Sequence, residues 1–209
     1  VFLFMAEVAV AAVPEEGKQE SPISEEVSPE GRTKQSPSSK SVMAPTKVAV
    51  QRVASDFGQL LAACAAEEPD IHMEADLPDE TTFFVWRVLF QYTGFGDSPL
   101  GRQLRDAKVP GVLLELRFPN DFPYAPPFVR VVEPVIEGGF VLPAGGVCME
   151  TLSASGWAPA TRVEGLLQGI RAQMIAGDAR LAANPKATHL YSEAGAKRDF
   201  DYAMSAHKW

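Results

Sequence analysis

The chain has 209 residues, 46% of them hydrophobic, which is enough for one domain with a sizeable core and too few for two. Its formal net charge of -8 opposes a phosphate-binding surface, since nucleic-acid affinity comes from clustered Lys and Arg, so no nucleic-acid partner is expected. Two cysteines, Cys64 and Cys148, are too few for a disulfide framework or a zinc site of paired CxxC motifs. A reducing compartment, cytoplasmic or nuclear, is therefore expected, with no metal and no cofactor.

The opening VFLFMAEVAVAAV is apolar, but Glu7 interrupts it and no basic stretch precedes it. It also falls short of the ~20 apolar residues of a membrane span. It reads as neither signal peptide nor anchor, no membrane partner is expected, and Met5 is a candidate start. From Pro14 to about Pro45 the chain is dominated by Pro, Ser, Glu and Lys, a composition that buries too little surface to offset ordering entropy. Residues 1–43 are thus expected to form a disordered tail ahead of a folded domain over 44–209. Three Ser-Pro pairs at Ser21, Ser28 and Ser36 are either phosphorylation sites or ordinary tail composition.

Beyond Pro45, Val50, Val53, Phe57, Leu60, Leu61 and Cys64 recur at spacings of three and four, predicting a helix that ends before Pro69. Cys64 lies on that stripe and reads as a small core residue. IHMEAD (71–76) and FFVWRVLFQY (83–92) alternate like two strands of a hairpin across Leu77–Thr81, the second turning Phe84, Trp86, Val88, Phe90 and Tyr92 to one face. GVLLELRF (111–118) and FVRVVE (128–133) give two more strands, the first burying Val112, Leu114, Leu116 and Phe118 while Glu115 and Arg117 face out. An antiparallel meander is the simplest arrangement. Thr161-Arg162-Val163-Glu164 fits a capping box opening a helix on Val163, Leu166, Leu167, Ile170 and Met174, which runs to Gly177. A last amphipathic stretch, about Thr188 to His207, carries Leu190, Tyr191, Ala194, Phe200 and Met204. Helix, four strands, then helices specify an α+β fold.

Between the last strand and the capped helix, Pro134 to Ala160 is a long irregular segment holding Gly138-Gly139, Gly145-Gly146, Cys148 and Trp157. Loops of that length inside a compact domain usually carry function. Glycines ahead of a lone cysteine let another backbone approach its sulfur. No Lys, Arg or His stands near Cys148 in sequence to lower its pKa, which disfavours a nucleophile paired with its own base. A cysteine hydrolase would need His72, His189 or His207 to fold back onto it.

FPNDFPYAPPFVRV (118–131) resembles the FPxxYPxxPP motif of ubiquitin-conjugating enzymes, with Phe122 at the usual Tyr position. GVCMETL (146–152) and Trp157-Ala158-Pro159-Ala160 resemble that family's catalytic-cysteine segment and its W-S/A-P-A loop. Gly138-Gly139-Phe140, Cys148-Met149-Glu150 and an ending with His207 near a terminal Trp209 are similar to the divergent Q-type branch, although the Gly that precedes that Trp is absent. The resemblance implies the ubiquitin-conjugating (UBC) fold: an N-terminal helix, a four-stranded antiparallel meander and C-terminal helices.

It further implies that Cys148 accepts ubiquitin or a ubiquitin-like protein as a thioester from an activating enzyme and yields it to a substrate or ligase. Glu150 matches an acidic position that orients or deprotonates the incoming amine, with a plain solvated carboxylate as the other reading. Tyr124, Trp157, Ala158 and Pro159 correspond to ligase- and ubiquitin-contacting loops, although Trp157 also reads as buried beneath the cysteine loop. Lys47 and Arg52 match the basic surface that meets the activating enzyme, and Asp178 falls near an acidic gate. A monomer is expected. Most of the family carries His-Pro-Asn where this chain has Gly138-Gly139-Phe140, and the Asn holds the loop or stabilises the oxyanion. Phe140 can do neither by hydrogen bonding, and a missing oxyanion donor costs ~3 kcal/mol. Backbone amides of Gly145–Cys148 or a partner ligase are then expected to substitute, or the acceptor is a thiol or an N-terminal amine. The alternative is a weak or inert variant that serves as a ubiquitin- and ligase-binding scaffold.

Overall fold

A computed structural model describes residues 44–66, 71–79 and 81–207. The expected tail, with its Ser-Pro pairs and apolar opening, lies outside the described residues. In chain order the elements are α1 (Lys47–Ala65), β1 (Met73–Asp76), β2 (Val85–Gln91), α2 (Pro99–Asp106), β3 (Gly111–Arg117), β4 (Phe128–Glu133), β5 (Ile136–Glu137), α3 (Val163–Ala176), β6 (Arg180–Leu181) and α4 (Glu193–His207).

Strands β1 to β4 form the expected antiparallel meander in sequence order. Its register sets Met73 opposite Phe90, Trp86 opposite Leu116 and Leu116 opposite Val129, which stacks the apolar alternation of neighbouring strands on one face. Tyr92, expected to continue that face, is exposed at the 3-10 turn that follows β2. Strands β5 and β6 pair separately as a two-residue ribbon. Helix α1 packs on α3 and β1, and α4 on β4. The core between them includes Trp86, Phe90, Phe122, Leu114, Leu116, Leu167, Ile170 and Met174, all fully buried.

Helix α1 starts where Thr46 Oγ1 accepts the Ala49 N–H at 3.1 Å. Its buried stripe is Ala49, Val53, Asp56 and Leu60, with Cys64 half-buried against the core. Val50 and Leu61, expected in that stripe, are exposed, because each is one residue, about 100° of helix rotation, past a buried neighbour. Helix α2 has no counterpart in the sequence reading. Ser98 caps it and Pro99 opens it, but its eight residues bury only Leu100, Gly101 and Leu104, too few to show a period.

Glu115 does not face water as expected. It is buried, and its Oε1 accepts from Arg117 Nε at 2.9 Å and Arg130 Nε at 3.0 Å. Burial alone would raise its pKa, yet the hydrogen bond and charge of Arg130, joined by Arg117, bring the carboxyl below its usual range. The capping box is also absent: α3 begins at Val163 with Arg162 at the cap position and no side-chain cap. Thr161 instead ends a turn, its N–H donating to Ala158 O, while Arg162 reaches Asp56. The buried residues of α3 are the expected five, and Gly177 ends it. Thr188–Leu190 is a separate 3-10 turn before α4, whose inward residues are Ala196, Phe200 and Ala203. Leu190 and Ala194, expected on the apolar face, are exposed.

Candidate active site

The segment leading to Cys148 is more ordered than its composition suggests. Val131 N–H donates to Gly145 O at 2.8 Å and Val147 N–H to Val129 O at 3.0 Å, so residues 145–147 run antiparallel along β4. Residues 140–142 pair on the other side: Leu142 N–H donates to Gly146 O and Cys148 N–H to Phe140 O, both at 2.8 Å. Gly145, at φ +95°, turns the chain between these arms, and a Cβ there would sit 2.8 Å from Val131 O. Cys148 thus ends a narrow main-chain ladder anchored on the sheet.

That ladder narrows one expectation. Of the Gly145–Cys148 N–H groups foreseen as substitutes for the missing Asn, those of Gly145, Val147 and Cys148 already donate to Leu142, Val129 and Phe140 carbonyls. Donors satisfied inside the fold are not free to meet an oxyanion. Gly138, Gly139 and Phe140 have φ of +72°, +61° and +63°, three consecutive left-handed residues. For Phe140 this conformation costs roughly 1–2 kcal/mol. Its half-exposed ring lies against Gly177, where a Cβ would approach within 2.8 Å, and its carbonyl holds the Cys148 amide.

The Cys148 side chain is largely covered, and burial pushes its thiol above the usual range. His72 hydrogen-bonds Thr93 Oγ1 at 3.0 Å and lines a cavity with Cys64, and His189 is exposed on the turn before α4. Glu150 is exposed at the head of a 3-10 turn, two residues past Cys148. Gly156 closes that loop so tightly that a Cβ would stand 2.2 Å from Glu150 O. Asp178 is exposed and paired with Arg180 at 2.9 Å, and its carbonyl abuts Gly138.

Of the expected contact residues, Tyr124 is 69% exposed on the Pro-rich turn, and Ala158 and Pro159 are exposed. Trp157 is buried between them, its Nε1 donating to Pro123 O at 2.7 Å. Lys47 is exposed at the start of α1. Arg52 is largely covered: it donates to Asp56, Pro159 O and Thr161 O, and its guanidinium stacks over Phe122. Several positioning groups escaped the sequence reading. Asp56 joins Arg52 and Arg162, Asp199 Oδ2 accepts the Ala144 N–H at 3.0 Å, and the Tyr191 hydroxyl both donates to and accepts from the Ile136 backbone. An acid four residues after Arg52 inside an apolar stripe was the one visible signal among them.

A four-stranded meander flanked by helices, with a lone cysteine on a glycine-hinged ladder beside β4, defines the class as a cysteine-centred α+β domain. The family model described as "Ubiquitin-conjugating enzyme" matches residues 113–207. A human Q-like ubiquitin-conjugating enzyme, the Q-like protein 1, is 32% identical over 140 residues, covering 66% of this chain and 86% of that protein. A Q-like ubiquitin-conjugating enzyme of Drosophila melanogaster is 40% identical over 127 residues, covering 61% of this chain but 41% of that protein, so the match spans less than half of the fly relative. Among solved structures, human ubiquitin-conjugating enzyme E2 G1 is similar at 19% identity and a TM-score of 0.47, over 61% of this chain and 94% of that one. The chain belongs to the ubiquitin-conjugating enzyme family, in its Q branch, and its α+β architecture is the UBC fold. Among the described residues, no helix is long and apolar enough to cross a membrane, and no three His, Cys, Asp or Glu side chains gather as metal ligands.

Proposed function

We propose that the chain accepts ubiquitin or a ubiquitin-like protein as a thioester on Cys148 and transfers it to a substrate or ligase. The supporting observation is the placement of Cys148 at the end of a backbone ladder, flanked by an exposed carboxylate and hinged by Gly145. In loading, the Cys148 thiolate attacks the modifier's C-terminal thioester on the activating enzyme. A new C–S bond forms, the donor's cysteine leaves as thiolate, and the Cys148 proton goes to solvent. In transfer, an acceptor amine attacks that carbonyl, Glu150 takes the amine proton, and Cys148 departs as thiolate.

Lys47 serves the activating enzyme, while Tyr124, Ala158 and Pro159 face the ligase over the buried Trp157. Residues 44–209 act as one monomeric conjugating domain behind the 1–43 tail, in the cytoplasm or nucleus, and need no cofactor. The test is incubation with activating enzyme, modifier and ATP. An adduct cleaved by thiol reductant is expected, and Cys148→Ser should yield none that reductant cleaves. Absence of an adduct with several modifiers sinks the proposal. The second reading, a weak or inert binding scaffold, is the less supported: the relatives are named as conjugating enzymes, and only the covered thiol, the donating amides of Gly145, Val147 and Cys148 and the apolar Phe140 point to it.

A further inference from the structure

Arg52 directs its three kinds of N–H at three acceptors. Nε donates to Asp56 Oδ2 at 3.0 Å, Nη1 to Pro159 O at 3.0 Å and Nη2 to Thr161 O at 2.6 Å. Asp56, its side chain 1% exposed, is held from the other side by Arg162 Nη1 at 2.7 Å, which fixes the plane of the fork. The guanidinium carbon stands 5.7 Å from the centroid of the Phe122 ring, two residues before Tyr124. Trp157 Nε1 ties the same turn to the loop through Pro123 O. Residues 158–161 lie outside any helix or strand, and α3 starts only at Val163.

From this arrangement we propose that Arg52 is a positioning residue: oriented by Asp56, it fixes the exposed Ala158–Pro159 segment and the Tyr124 turn into one preformed partner-docking surface. The proposal rests on the reading of those loops as ligase contacts, and it replaces the expected role of Arg52 at the activating enzyme. Docking onto a loop already ordered avoids the entropy of ordering it during binding, so loosening the loop raises the ligase concentration needed without altering the reaction once bound. Lysine cannot substitute, because a point-like ammonium lacks the planar fork that meets Asp56 and two carbonyls together.

The test uses the full chain with Arg52→Lys, Arg52→Ala and Asp56→Asn, with Arg52→Gln added where the alanine variant does not fold. Three quantities are read: hydrogen exchange over residues 157–161, the rate of thioester formation on Cys148, and discharge against the concentration of a RING-type ligase domain that accelerates the wild type. The expected result for Arg52→Lys is faster exchange, loading within about twofold of wild type, and a half-saturating ligase concentration up about tenfold at an unchanged saturating rate. Unchanged exchange overturns the clamp. So does unchanged half-saturation despite faster exchange, which leaves Arg52 a stability residue only. Loading slowed as much as discharge also overturns it and returns Arg52 to the activating enzyme. A wild type that forms no Cys148 adduct refutes the conjugating reading instead, and the exchange comparison then judges the clamp alone.

Discussion

Glu115→Gln tests how the sheet supports the cysteine loop. The change keeps the shape of the side chain but removes the charge between Arg117 and Arg130, leaving Arg130, 11% exposed, beside a neutral amide. Breaking a buried pair by removing one partner costs about 3–5 kcal/mol in well-enclosed cases. Because Arg117 is 38% exposed and also pairs with Glu193 at 2.7 Å, the expected loss is smaller, about 2–3 kcal/mol at pH 7. With a urea m-value of about 1–3 kcal/mol/M, the unfolding midpoint should fall by roughly 0.7–3 M.

The sign with pH follows from linkage. The folded carboxyl titrates below its unfolded counterpart, so its stabilisation is present in full above the unfolded pKa, about 4.3, and is lost as pH falls through the lower folded value. Wild type and Glu115→Gln should therefore differ most near neutral pH and converge on acidification below about pH 4. Urea unfolding at a series of pH values reads this difference directly. A gap that stays constant across that range would falsify the ion-pair account and assign the loss to packing.

Phe140→Asn should raise stability by up to about 1 kcal/mol in thermal or urea unfolding, since Asn tolerates the left-handed conformation better than Phe. It should also speed discharge of charged enzyme to free lysine by about a hundredfold if an amide donor at this position meets the oxyanion, and an unchanged lysine rate would show that Phe140 is not what limits transfer. Loading at limiting activating enzyme should keep rising beyond about pH 8.5, because burial holds the Cys148 thiol above the usual range; a plateau at lower pH in a stopped-flow or gel assay contradicts that. Leu167→Ala, on the fully buried face of α3, should cost about 2–5 kcal/mol, the range seen for such cavities, measured by chemical unfolding.

The parts of the fold that leave a regular trace of side chains were readable from the sequence. The alternation of Trp86, Val88 and Phe90, and the three-four spacing of α3, each reported a face that is in fact buried. The α2 segment left none, because a short helix with two leucines and a buried glycine has no period to detect. Alternation also misplaced Glu115, since a strand's second face can be closed by arginines from β3 and β4. At the site, Cys148 stood out by its glycines and its resemblance. Its ladder did not, because pairing between main-chain groups imposes no choice of side chain at most positions. The ties of Arg52 were hidden for a similar reason: its distant acceptors are carbonyls more than a hundred residues away, and a carbonyl is present whatever the residue.

The ladder over residues 140–148 has a consequence for how such a site can change. Apart from the Asp199 carboxylate on the Ala144 N–H, the ties described for it run from peptide N–H to peptide C=O, on β4 and within itself. Exposed side chains along it, such as Pro143 and the ring of Phe140, supply none of those ties. A lineage could then exchange such side chains one at a time while Cys148 keeps its address. The placement of Cys148 is written in the backbone, and what lies exposed around it is written in side chains.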